Sequence, residues 1–87
     1  MNTDKHRLNK ITEKIIGCIY KVSNTLGAGF LEKVYENSLA IEIRKAGLDV
    51  SQQKGIKIHY YGELVGEFVA DLLVENCVLV ELKTSFR

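Results

Sequence analysis

Two carboxylates and an ammonium interrupt apolar stretches near the end of this 87-residue chain. Asp71 stands inside Phe68-Val69-Ala70-Asp71-Leu72-Leu73-Val74, and Glu81 and Lys83 break the run from Cys77 to Lys83. Aspartate is depleted in strands. An unpaired carboxylate in an apolar layer costs several kcal/mol or is forced to protonate. An ion pair, a metal or a solvent-filled cleft would each explain such residues. Lys83 could simply neutralise Asp71 or Glu81.

The turn between the two segments decides whether the acids can cooperate. A two-residue loop, Glu75-Asn76, makes paired residue numbers sum to 151 and sends the two carboxylates to opposite faces. A three-residue loop, Glu75-Asn76-Cys77, makes pairs sum to 152 and sets Asp71 opposite Glu81. Their Cβ atoms then lie about 4.5–5.5 Å apart. Asn76 tolerates the left-handed conformation that such loops need, so the three-residue loop or an equivalent bulge is expected. Two like charges placed opposite each other repel unless a cation lies between them. A hard divalent ion such as Mg²⁺ (or Mn²⁺) suits two carboxylates and a carbonyl. It would supply Lewis acidity and a more acidic water, with Lys83 beside it to hold a phosphate oxygen. Phosphodiester hydrolysis is the reaction that fits this set.

The elements that must position these residues are read from periodicity. Leu8, Ile11, Ile15, Ile19, Val22 and Leu26 recur at three- and four-residue steps and draw a helix over residues 4–25, with Thr3 and Asp4 supplying capping oxygens. It should stop at Leu26-Gly27-Ala28-Gly29. A second helix is expected from about Phe30 to Ala46, with Arg44 and Lys45 favouring its negative end and Gly47 closing it. The period then falls to two. Residues 48–50 and 56–60 predict a strand with a bulge or break at Lys54-Gly55, followed by a turn at Tyr61-Gly62-Glu63. Leu64 to Val74 predicts a long second strand, and Cys77 to Lys83 a third that is apolar on both faces, as in a sheet covered on both sides. The expected fold class is α/β in α+β order: two helices, then a three-stranded antiparallel meander.

Composition narrows the class of function. Apolar residues make up 46% and charged residues 26%, values that argue against disorder, and the length suits one small domain over residues 1–87. A formal charge of +1 gives no global attraction to nucleic acid or lipid, so such a partner would need a local patch. Cys18 and Cys77 have no metal-ligand spacing and are expected to be buried free thiols. The polar start, without an apolar run, predicts no signal peptide and a cytoplasmic protein.

Several linked motifs resemble one known family. Gly29-Phe30-Leu31-Glu32-Lys33-Val34-Tyr35 matches the Gly-x-x-Glu-x-x-Tyr signature of the GxxExxY proteins. Gly62-Glu63-Leu64-Val65-Gly66-Glu67, Ala70-Asp71-Leu72-Leu73-Val74 and Val80-Glu81-Leu82-Lys83 continue the likeness in order, so that it spans about residues 8–84. That family is placed in the PD-(D/E)XK nuclease superfamily, whose core is αβββαβ. The resemblance implies Asp71, Glu81 and the Leu82 carbonyl as metal ligands, Lys83 as the catalytic lysine, and Glu32 completing the acidic cluster from the helix. It implies nucleic acid, DNA foremost, as partner. Tyr35 is expected to pack with its hydroxyl toward the cluster, while His59, Tyr60 and Tyr61 read as a strand end that could also stack on bases. Family members continue past Glu-x-Lys with a further helix and strand. This chain stops before them, which reads either as a fragment too short to be active or as a bare edge at 77–83 that a second copy covers; a homo-oligomer through that strand is expected. A nuclease-like scaffold that only binds or oligomerises is the alternative reading.

Overall fold

The computed structural model describes the backbone of residues 2–83 and the side chains from Lys5 onward. Helix α1 spans Asn2–Leu26 and α2 Glu32–Lys45; strands β1 (Val50–Tyr60), β2 (Glu63–Val74) and β3 (Val78–Val80) follow. The expected capping by Thr3 and Asp4 involves side chains outside the described residues. No helix among the described residues is long and apolar enough to cross a membrane.

The apolar stripe of α1 buries Ile11, Ile15, Cys18 and Val22, whereas Leu8 and Ile19 at its margins stay exposed. Helix α1 ends where expected, with Gly27 at φ 72° donating its N–H to the Ser23 carbonyl. Helix α2 closes through a Schellman arrangement. Gly47, at φ 87°, donates to Arg44 O, and Leu48 donates to Ile43 O. Leu48 then packs against the core formed by α1, Leu39, Ala40 and Ile43 of α2, and Leu72 and Val74 of β2.

The sheet has the order β1-β2-β3 and is antiparallel throughout. Alternation is clear in the inner half of β2. Ala70, Leu72 and Val74 are fully buried, which leaves Asp71 and Leu73 on the other face. Beyond the core, β1 and β2 continue as a two-stranded arm in which every residue from Lys57 to Val69 is exposed. Its tip is the two-residue turn Tyr61-Gly62, with φ of 51° and 80°, and the Tyr60 and Tyr61 rings meet edge to face at 4.7 Å.

Three local expectations are corrected. Lys54 and Gly55 pair regularly with Ala70 and Val69; the ladder skips Gln53, at φ 51°, without changing register, and the register shift falls between Ile58 and His59. The third strand is shorter than Cys77–Lys83, since its ladder covers only Val78–Val80, and it lies at the sheet edge with Leu79 exposed. Cys18 is buried as expected, but Cys77 sits in the exposed turn; both are free.

Candidate active site

Everything at the site follows from the β2–β3 connection. Glu75 and Asn76 have φ of 54° and 56°, and Cys77 N–H closes the turn on the Val74 carbonyl. Cys77 is then passed over, so the ladder pairs Val74 with Val78, Leu73 with Leu79 and Leu72 with Val80. The pairs sum to 152, the register of a three-residue connection. The Glu75 side chain stabilises this turn by accepting the Asp49 N–H at 2.7 Å.

Continued by one residue past β3, this register brings Asp71 against Glu81. Asp71 donates its N–H to Glu81 Oε2 at 3.4 Å, and Leu82 donates its N–H to Asp71 Oδ2 at 2.8 Å. Each carboxylate therefore rests on a backbone donor near the other, and such donors offset part of the like-charge repulsion. Leu82 is half-buried against the core. Glu81, Leu82 and Lys83 line an open, largely apolar cleft of about 750 Å³ together with Ile19, Val22 and the Gly27–Phe30 loop; Asp71 does not line it.

The helix contributes a different acid from the one expected. Glu32 is exposed at the first position of α2. Among the described residues no three His, Cys, Asp or Glu side chains stand close enough to share a metal ion, so Glu32 does not complete a three-acid cluster with Asp71 and Glu81. The physical reason is helical phase, because the residue of this region that faces the sheet is Glu36, one turn later. Glu36 is only 4% exposed, the single buried charged side chain among the described residues. Its carboxylate accepts from Gln52 Nε2 at 2.7 Å, Gln53 Nε2 at 2.9 Å and Lys33 Nζ at 3.3 Å. The sequence held a signal for this, since positions 36, 39, 40 and 43 fall on one helical face.

Gln53 links the two parts. Its Nε2 also donates to Asp71 Oδ1 at 3.3 Å. Consecutive strand residues normally point to opposite faces. The left-handed backbone at Gln53 lets both Gln52 and Gln53 turn toward Glu36.

Tyr35 also departs from expectation. Its hydroxyl donates to the Gly27 carbonyl at 2.6 Å and accepts the Phe30 N–H at 3.3 Å, so it fastens the loop between the helices and does not address the acids. The Phe30 ring packs edge to face on it at 6.2 Å.

Asp71 and Glu81 offer carboxylate oxygens only, and two carboxylates with a backbone carbonyl would suit Mg²⁺ or Mn²⁺ better than softer metals. No match exists among curated proteins or among solved structures. A family model described as the PD-(D/E)XK nuclease superfamily matches residues 9–87, and the two-helix, three-strand order agrees with its core. The chain belongs to the PD-(D/E)XK nuclease superfamily.

Proposed function

We propose that this domain, a member of the GxxExxY type, is a metal-dependent nuclease that hydrolyses phosphodiester bonds, with DNA as its substrate. The observation that carries this reading is the 152 register, which sets Asp71 and Glu81 side by side just before Lys83. Asp71, Glu81 and the Leu82 carbonyl would hold Mg²⁺ or Mn²⁺, which supplies Lewis acidity toward the phosphoryl group. Lys83 stands on the cleft beside Glu81 and stabilises charge on the phosphate oxygens. Among the described residues β3 is the edge strand of the sheet and could pair with a second copy, so the reading includes a homo-oligomer. Two unpaired cysteines fit the reducing cytoplasm.

The test is cleavage of labelled DNA and RNA with Mg²⁺ or Mn²⁺. Asp71→Ala should abolish cleavage, and Lys83→Ala should slow it roughly 10²–10³-fold, as loss of one charge-stabilising donor does. A Glu32→Ala arm decides whether the helix-start acid acts at all. Cleavage unaffected by the Asp71 and Lys83 substitutions refutes the assignment.

One observation favours a second reading, a non-enzymatic nuclease-like scaffold. Both acids already hold backbone donors, so the pair can stand without a cation. Calorimetric titration separates the two. Binding lost in Asp71→Asn and Glu81→Gln supports the enzyme, and no heat at millimolar Mg²⁺ or Mn²⁺ supports the scaffold.

A further inference from the structure

The geometry points to Gln53 as the positioning residue of this site: its side-chain amide, anchored on buried Glu36, fixes the orientation of the Asp71 carboxylate. The inference rests on the reading of Asp71 as a metal ligand. Three observations converge on it. Gln53 Nε2 is shared between Glu36 Oε1 at 2.9 Å and Asp71 Oδ1 at 3.3 Å, which uses both of its N–H groups. The Asp71 carboxylate is thereby held at each oxygen, Oδ1 by Gln53 and Oδ2 by the Leu82 N–H. Gln53 also adopts φ 51°, a left-handed conformation that is costly for a residue with a Cβ.

Glu36 is built as an anchor and not as a ligand. It is buried, and its two oxygens are occupied by Gln52, Gln53 and Lys33. Gln52 is the informative neighbour. Its Nε2 donates to Glu36 Oε2 and Asn37 Oδ1, at 2.7 Å each, which turns it away to the helix. A carboxylate that binds a metal is usually held by hydrogen bonds behind it, and losing such a partner costs 10–100-fold in metal affinity.

The test uses the whole chain and Mn²⁺ alone as probe. Gln53→Met keeps the side-chain length and removes the donors. Gln53→Asn suits the left-handed backbone but is one methylene too short to span both acids. Both should weaken Mn²⁺ binding about 10–100-fold, and Gln52→Met should stay within about twofold of wild type. A metal-free readout runs in parallel: the NMR signals of the Gln53 side-chain amide should move in Asp71→Asn and stay in place in Asn37→Ala, which touches only Gln52. Unchanged Mn²⁺ affinity in Gln53→Met overturns the inference and leaves the nuclease reading intact. If the wild-type chain binds no Mn²⁺, the nuclease reading fails on its own. The amide then decides the inference: a response of its signals to Asp71→Asn upholds the orienting contact, and no response overturns it.

Discussion

Glu36→Ala, compared with Glu32→Ala, tests whether helical phase or motif position identifies the acid that matters to this fold. Glu36 is 4% exposed and accepts two short hydrogen bonds from Gln52 and Gln53 and a longer one from Lys33. Hydrogen bonds to a charged partner contribute about 1.5–3 kcal/mol each. The Lys33 bridge adds little because Lys33 is largely exposed. Gln52 and Gln53 keep second acceptors in Asn37 and Asp71, which lowers the cost of losing the first. The net loss is about 2–4 kcal/mol, against a total stability of roughly 4–13 kcal/mol for a domain of this length. At about 4–8 °C per kcal/mol, the melting temperature should fall by about 8–32 °C. Glu32 is exposed in the first turn, where its favourable term with the helix dipole is about 0.3–1 kcal/mol. Thermal unfolding followed by circular dichroism measures both. A Glu36→Ala midpoint within about 4 °C of wild type, or a larger drop for Glu32→Ala, refutes the reasoning.

Three further outcomes are expected. Burial first, then Glu42, raises the Cys18 thiol above its ordinary value of 9.0 against a lowering by Lys21, while Cys77 is exposed. A thiol reagent near pH 8 should modify Cys77 quickly and Cys18 only as the chain opens. Because the folded value is the higher one, the Cys18 contribution to stability is complete below about pH 9 and fades as pH rises through the folded value. Cys18→Ser should flatten that alkaline decline in urea midpoints. Tyr35→Phe removes the 2.6 Å bond to Gly27 and the acceptor for Phe30, so it should cost about 1 kcal/mol and speed hydrogen exchange at the Phe30 amide. Tyr61→Asn places the Asn-Gly pair favoured by this turn type at a residue 91% exposed and held at φ 51°. It should raise stability by about 0.5–1 kcal/mol in denaturant titration.

What could be read from the sequence divides along a physical line. Features set by neighbours along the chain were legible: Gly27 and Gly47 stop their helices, Tyr61-Gly62 turns the arm, and Asn76 takes the left-handed turn from which the 152 register follows. Features set by contacts across the fold were not. Gly55 drew the expected break because glycine bends cheaply, yet the left-handed residue is Gln53, where hydrogen bonds to Glu36 and Asp71 compensate the strain, and the register shifts at Ile58/His59. Tyr35 was directed toward the acids by motif proximity, but its nearest acceptor in space is the Gly27 carbonyl. Glu36 shares a face with Leu39, Ala40 and Ile43, and only the two glutamines from β1 explain why a carboxylate tolerates that position.

The end of β3 and the making of the acid pair are one event. The ladder stops at Val80, one residue before Glu81. Had the strand continued to Lys83, the Leu82 amide would be consumed by pairing opposite Ala70, and Asp71 would lose that donor. With the ladder stopped, the Leu82 N–H is taken instead by Asp71, while the Asp71 N–H, at the position where the β1–β2 ladder skips Gln53, is taken by Glu81. Asp71 is thus pre-oriented by the Leu82 amide that the short strand sets free, and Gln53 completes the hold from the other side. A cation entering here would replace repulsion between groups already in place and would not have to gather them, which is the condition under which few ligands suffice.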